Sequence, residues 1–107
     1  MPTYNKLVRD RIPEIIEATG KTFTTRILSD EEYLIEVKKK SFEELEEFHD
    51  SETREDAIEE LADLMEIVLE FAKLHNTSLD EIEAIRREKA EKRGSFDKKI
   101  FLKDVED

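Results

Sequence analysis

The chain has 107 residues, of which 44% are charged, and its formal net charge is −11. It contains no cysteine, which excludes disulfide bonds, thiolate metal sites and cysteine nucleophiles. Its two glycines and two prolines favour a helical protein with few tight turns. The acidic balance opposes binding to nucleic acid polymers, and we find neither a signal peptide nor an apolar run of membrane-spanning length. These properties predict one cytoplasmic domain over residues 1–107, without membrane association.

The first predicted element is a short helix near the N-terminus. Residues 6–12 are interpreted as an irregular or briefly helical lead-in. Pro13 suits the first turn of a helix that runs to Ala18, and Gly20 ends it. Residues 22–28 favour β-structure but have no partner strand in the sequence, so we expect an extended connector there.

Two long helices follow and form the predicted centre of the fold. Ser29 and Glu32 have the spacing of a capping box and open a helix that runs to about His49. After a short turn, a second helix runs from Thr53 to about His75. A connection this short makes the two helices antiparallel neighbours.

The last predicted helix begins at a second capping box, Ser78 with Glu81, and runs to about Arg93, where Gly94 stops it. The fold class is therefore all-α, an antiparallel helical bundle. Four apolar residues beyond this helix are expected to pack back on the bundle: Phe96, Ile100, Phe101 and Leu102.

The helix from Thr53 to His75 is apolar around more than one side, so one neighbouring helix cannot cover it. Its surface between Ile58 and Leu74 is therefore predicted to lie in a homodimer interface. The pattern does not separate a dimer from a tetramer.

Acidic pairs set into the apolar helices are the most informative feature of the chain. Residues three apart lie on one helix face, which pairs Glu44 with Glu47 and Glu60 with Asp63. Carboxylates that enter a helical interior need a proton, a basic partner or a metal, and four converging carboxylates suit Mg²⁺. In a chain this rich in glutamate, a solvated acidic face is an equally good interpretation.

The same residues resemble a known family. The pattern Glu43-Glu44-x-x-Glu47 followed by Glu60-x-x-Asp63 is similar to the signature of the all-α nucleoside triphosphate pyrophosphohydrolase superfamily, the MazG-like proteins. The flanking segments Tyr4–Pro13 and Lys92–Phe96 look like the ends of its branch labelled "phosphoribosyl-ATP pyrophosphohydrolase-like". The resemblance covers essentially the whole chain and implies a single MazG-like domain of the all-α pyrophosphatase type.

The resemblance implies Mg²⁺-dependent hydrolysis, with Mn²⁺ as a substitute ion, of a nucleoside triphosphate or related nucleotide to monophosphate and pyrophosphate. A house-cleaning role in the nucleotide pool fits best. The metal ligands implied by position are Glu44, Glu47, Glu60 and Asp63. Glu43 would orient or deprotonate the attacking water. The implied contacts to substrate phosphates are Lys6, Arg9, Lys92 and Arg93, although ordinary surface charge explains them equally well.

Two alternatives stay open. One is the phosphoribosyl-ATP pyrophosphohydrolase of histidine biosynthesis, although a dedicated enzyme of that kind is expected to carry Tyr-His shortly after the second acidic pair, where this chain has Met65-Glu66. The other is a non-enzymatic, acidic helical interaction module in which the carboxylates are merely solvated. Burial distinguishes the interaction module from an enzyme, because Glu60 and Asp63 would face water in the module, whereas in an enzyme all four ligands would converge in one cleft.

Overall fold

Four helices make up the ordered framework of the protein. The computed structural model describes residues 2–107, with helices α1 (Ile12–Ala18), α2 (Asp30–Asp50), α3 (Arg54–Leu74) and α4 (Leu79–Arg93). This part of the chain contains no β-strand, so the predicted all-α class is confirmed and residues 22–28 connect α1 to α2 without sheet structure. None of its helices combines the length and apolar character needed to cross a membrane.

The starts of α2, α3 and α4 follow from local side-chain caps. Ser29 and Glu32 form the predicted capping box, in which each side chain accepts a hydrogen bond from the other residue's backbone. Thr53 accepts a hydrogen bond from the backbone three residues on, at the start of α3. At α4, the Ser78 hydroxyl accepts from the Glu81 N–H. The reciprocal bond is absent from the described residues, so the predicted second capping box is only half formed.

Helices α2 and α3 form the one extensively packed pair among the described elements. Residues 51–53 connect them, and the Tyr33 hydroxyl donates a 2.7 Å hydrogen bond to Glu70, which establishes the antiparallel register. Val37 of α2 and Ala72 of α3 are the fully buried apolar residues of the described chain. Helix α4 touches α3 over a short length. The hydrophobic core of a single chain therefore contains few buried side chains.

The shape of the chain is extended for its length. Its radius of gyration is 18.6 Å, whereas a compact domain of this size has about 13 Å. Its accessible surface is 10226 Å², against about 6,200 Å² for a typical folded monomer of the same mass. Part of the excess is a second apolar face of α3, whose members recur at helical spacing and are exposed: Ile58, Leu61, Met65 and Val68. We call these four residues the α3 seam.

The C-terminal segment does not pack on the helices, so that prediction was wrong. Gly94 ends α4 as predicted, with a φ of 81°, in the left-handed region that glycine tolerates. Beyond it the side chains expected to return to the bundle are between 73% and 95% exposed: Phe96, Ile100, Phe101 and Leu102. The exposed apolar side chains of α2 and α3 stay uncovered in the single chain, because apolar character alone does not direct the segment to one of these surfaces.

Because Val37 is completely buried between α2 and α3, its truncation should weaken their pairing. We expect Val37→Ala to lower the free energy of unfolding by about 2 kcal/mol, from two lost methyl groups and the cavity left behind. Urea denaturation at fixed protein concentration measures this. Ile27→Ala, at a site that is 95% exposed, is the control and should change stability little. Equal losses in both variants would contradict the packing described.

Candidate metal centre

Three of the predicted carboxylates meet between α2 and α3. Glu44 and Glu47 lie one turn apart on α2, and the antiparallel register brings Glu60 of α3 opposite them. One carboxylate oxygen from each residue lies within 4.8 Å of the other two. We call these three residues the carboxylate cluster. A divalent cation coordinated by three oxygens needs them this close, whereas freely solvated carboxylates move apart.

Glu47 is exposed, but the burial of Glu44 and of one oxygen of the half-buried Glu60 distinguishes this cluster from an ordinary acidic surface. Glu44 is only 6% exposed, which is rare for an ionisable side chain without a full set of partners. Its Oε2 atom and the Oε2 atom of Glu60 are both buried, and neither has a hydrogen-bond partner within residues 2–107. An orphaned carboxylate oxygen is costly in a folded protein, and a bound cation would satisfy it.

Burial and the close approach of the carboxylates raise the pKa values of Glu44 and Glu60. The pKa of Glu60 is raised to about 7, first by the adjacent Glu44 carboxyl, then by burial and by the proximity of Glu47. Burial is the largest cause that raises the pKa of Glu44, and the charges of Glu47 and Asp63 act in the same direction. Both shifts favour the uptake of a proton by the cluster when no cation neutralises it.

Asp63, the fourth predicted ligand, lies one turn after Glu60 but outside the carboxylate cluster. Its Oδ1 atom accepts a 2.7 Å hydrogen bond from Nη2 of Arg9, an ion pair that ties the N-terminal segment to α3. Arg9, which was predicted to contact substrate anions, is thus paired with Asp63 in this structure. Because the ion pair is partly exposed, its strength is modest and it can exchange partners.

Lys40 is a residue of the site that the sequence analysis missed. Its Nζ lies 3.6 Å from a carboxylate oxygen of Glu43 and 3.6 Å from one of Glu44, and its side chain is 23% exposed. The i,i+3 and i,i+4 spacing could have revealed these pairs in advance. Glu43, the predicted water-orienting residue, thus lies at the edge of the cluster, half exposed and held by Lys40.

The remaining predicted basic contacts do not meet the cluster. Lys6 lies 5.7 Å from the centre of the Tyr4 ring, in the exposed N-terminal segment. Lys92 is paired with Glu88 at 2.8 Å, and Lys92 and Arg93 line a shallow cleft of about 200 Å³ on the surface of α4. No ion pair or hydrogen bond within residues 2–107 joins these three cations to the carboxylate cluster.

The donor atoms of the cluster limit what it could hold. All three ligands are carboxylates, and hard divalent cations prefer such oxygen donors over the nitrogen and sulfur ligands that zinc and copper favour. Three protein oxygens leave further coordination positions for water or for a substrate oxygen. The cluster therefore has the composition of an open, hard-cation site.

Part of the chain is similar to a bacterial protein. A Mycolicibacterium smegmatis protein described as uncharacterized is 48% identical over 54 residues. The match covers 50% of this chain and 55% of that protein, so the chain spans about half the length of the curated relative that it matches. No family model matches the chain, and no solved structure matches it.

The raised pKa of Glu60 predicts a pH-dependent response to Mg²⁺. Without metal, a carboxyl group whose folded pKa of about 7 exceeds the ordinary 4.5 stabilises the protein at low pH, and this contribution is lost as the pH rises through 7. Thermal melts without metal should therefore show a melting temperature that falls between pH 5 and pH 8. Millimolar Mg²⁺ should restore it, with a larger shift at pH 8 because no proton competes.

Two substitutions test whether these responses arise from the carboxylate cluster or from acidic residues in general. Glu60→Gln should remove most of the pH trend and reduce the Mg²⁺ shift, and Asp63→Asn should weaken the shift if Asp63 joins the bound ion. Glu83→Gln is the control, since Arg86 already holds the pKa of Glu83 near 2 and its charge does not change over this range. An unchanged melting temperature with Mg²⁺ at pH 8 would refute the metal site.

Proposed function

We propose that the protein is a Mg²⁺-dependent nucleoside triphosphate pyrophosphohydrolase that releases nucleoside monophosphate and pyrophosphate. The observation that carries this proposal is the buried Glu44 carboxylate, which has an unpartnered oxygen and lies beside Glu60 and Glu47. The motif resemblance supplies the reaction class, and the role in cleaning the nucleotide pool belongs to the same proposal.

The ligands in this proposal are Glu44, Glu47 and Glu60, with Asp63 joining once Arg9 changes partner. When bound, Mg²⁺ would supply charge neutralisation and polarisation at the phosphate oxygens. It would also let a protein of net charge −11 accept an anionic substrate. Mn²⁺ has the same ligand preference and would substitute for it.

The chain's own residues then have distinct tasks. Glu43 would orient the attacking water and accept its proton, while Lys40 holds the carboxylate of Glu43 in place. The water oxygen bonds to the α-phosphorus, and the bond from that phosphorus to the oxygen of the departing pyrophosphate breaks. Arg9, released from Asp63, would bind phosphate oxygens as the resemblance implies. Lys6, Lys92 and Arg93 would have to approach from elsewhere, from a rearranged segment or a second chain.

The bond that is cleaved tests this mechanism. Hydrolysis in ¹⁸O-labelled water with Mg²⁺, screened over ribo- and deoxyribonucleoside triphosphates, should place the label in the monophosphate and none in the pyrophosphate. Glu47→Gln should reduce turnover by more than about 100-fold, beyond the usual cost of changes outside the ligand sphere. Glu31→Gln, in the first turn of α2 and far from the cluster, is the matched control and should retain activity.

Label in free orthophosphate would mean attack at the γ-phosphorus and would overturn the proposed bond cleavage. Absence of turnover with any common triphosphate, together with a normal Mg²⁺ shift, would favour phosphoribosyl-ATP or another diphosphate substrate. Absence of both would favour the interaction module.

The proposal includes a homodimer in which the α3 seam is covered. Four large apolar side chains aligned on one exposed helix face are unusual for a soluble monomer. A two-fold axis along α3 would pair the seam with itself and complete a core that one chain leaves thin.

The mass in solution tests the dimer. Light scattering after gel filtration at low micromolar concentration should give twice the mass of one chain for the wild type. Met65→Glu introduces a charge at the centre of the α3 seam and should shift the protein towards monomer. Glu66→Gln, at the next residue and outside the seam, should not. A folded wild-type monomer would refute the interface.

A further inference from the structure

The N-terminal part of the chain is tied to the other helices at one point. Helix α1 packs on no other helix of the described chain and contains no buried residue. Within residues 2–107, the bond from Arg9 to Asp63 is the one hydrogen bond that joins residues 2–20 to α2, α3 or α4. We call residues 2–20 the N-terminal arm. Its position on the fold therefore depends on one ion pair, which is 2.7 Å long and partly exposed.

The N-terminal arm also has a pivot. Gly20 follows α1 with a φ of 81°, and the chain is next held at Arg26, whose guanidinium pairs with Glu32 of α2 at 2.6 Å. Between these points, residues 21–25 contain no helix and form no hydrogen bond with the helices of the described chain. A segment with so few contacts can move about residues 20–25 while α2, α3 and α4 keep their packing.

Asp63, the residue that holds the N-terminal arm, lies in the electrostatic environment of the carboxylate cluster. It follows Glu60 by one turn of α3, and its charge is among the causes that raise the pKa of Glu44, after burial and the charge of Glu47. Glu44 is 6% exposed, and its buried Oε2 atom has no partner within residues 2–107, so the cluster lacks a positive charge. Arg9 supplies one to the neighbouring carboxylate.

We propose that binding of a divalent cation at the carboxylate cluster releases the N-terminal arm from α3. In the metal-free chain the guanidinium of Arg9 neutralises Asp63. When a cation is bound, Asp63 exchanges the guanidinium for the doubly charged ion, because the ion is also held by the cluster whereas the ion pair is partly exposed and modest in strength.

This inference rests on the proposed metal centre and adds a regulatory consequence to it. Docking of the N-terminal arm and participation of Asp63 in metal binding exclude each other, since both use the same carboxylate. The released Arg9 becomes available to phosphate oxygens of an anionic substrate. Metal binding would therefore precede the contact between Arg9 and substrate.

Spin labels measure the position of the N-terminal arm directly, because the chain has no cysteine of its own. Glu17→Cys on α1 and Glu55→Cys on α3 place the labels at two exposed positions outside the carboxylate cluster. The doubly labelled full-length chain is diluted with unlabelled chain, so that pulsed EPR reports distances within one chain. We expect a narrow distance distribution without metal and a broader one in millimolar Mg²⁺, which is diamagnetic.

Three variants assign the change to the ion pair. Arg9→Gln and Asp63→Asn each remove it, so both should give the broad distribution with and without Mg²⁺. Arg11→Gln is the matched control, because Arg11 lies on the same arm but pairs with Glu14 of α1 at 3.2 Å, and it should behave as the wild type. Circular dichroism should show unchanged helix content in all three. A broad distribution in the metal-free wild type would contradict the docking of the arm.

The affinity for Mg²⁺ provides a second measurement, because coupling between two binding events is reciprocal. Removing the competing guanidinium in Arg9→Gln should tighten Mg²⁺ binding several-fold in calorimetric titrations at low ionic strength, whereas Arg11→Gln should leave it unchanged. In an Asp63→Asn background, Arg9→Gln should have little effect, since the competition acts through Asp63. An affinity that is unchanged or weaker in the single Arg9→Gln variant would reject the competition.

The same titrations distinguish failure of this inference from failure of the metal centre. Mg²⁺ binding by the wild type with an unchanged distance distribution would overturn release of the N-terminal arm and leave the proposed reaction untouched. Absence of Mg²⁺ binding would overturn both.

Discussion

The pairing of α2 with α3 is the constraint on which the rest of the structure depends. It is the only extensive helix contact in the described chain, and it buries few apolar side chains. A polar contact reinforces it: the Tyr33 hydroxyl donates a hydrogen bond to Glu70, whose carboxylate also pairs with Lys73 of the same helix at 2.9 Å. Burial and this acceptor raise the pKa of Tyr33 to about 12, so it stays a hydrogen-bond donor at all physiological pH values. The carboxylate cluster is built on the same pairing.

The sequence predicted the features that depend on neighbouring residues. The caps at Ser29 and Thr53 need only side chains three positions apart, and helix ends follow from them. The meeting of Glu44 and Glu47 with Glu60 was also predictable, because a short connection fixes an antiparallel register. Both predictions rest on local geometry, which the spacing of residues along the chain determines.

Other features escaped prediction because they depend on distant or absent contacts. The pairing of Asp63 with Arg9 joins residues 54 positions apart, and no periodic pattern in the sequence predicts such a contact. Phe96 and Phe101 were expected to be buried because they are apolar, yet apolarity does not specify which surface covers a side chain. The pairing of Lys40 with Glu44, by contrast, was predictable, since a spacing of four residues places both on one helix face.

The two ends of the α2–α3 pair have a mechanical consequence for the carboxylates between them. The connection at residues 51–53 lies about 10 Å from Glu44 along the helix axis, and the Tyr33–Glu70 hydrogen bond lies about 16 Å away on the other side. Both ends resist separation of the helices, so repulsion among the carboxylates is not easily relieved by opening the pair. Uptake of a proton or a cation relieves it instead, in agreement with the raised pKa of Glu60. The fixed spacing of α2 and α3 thus favours the binding of a proton or a cation at the carboxylate cluster.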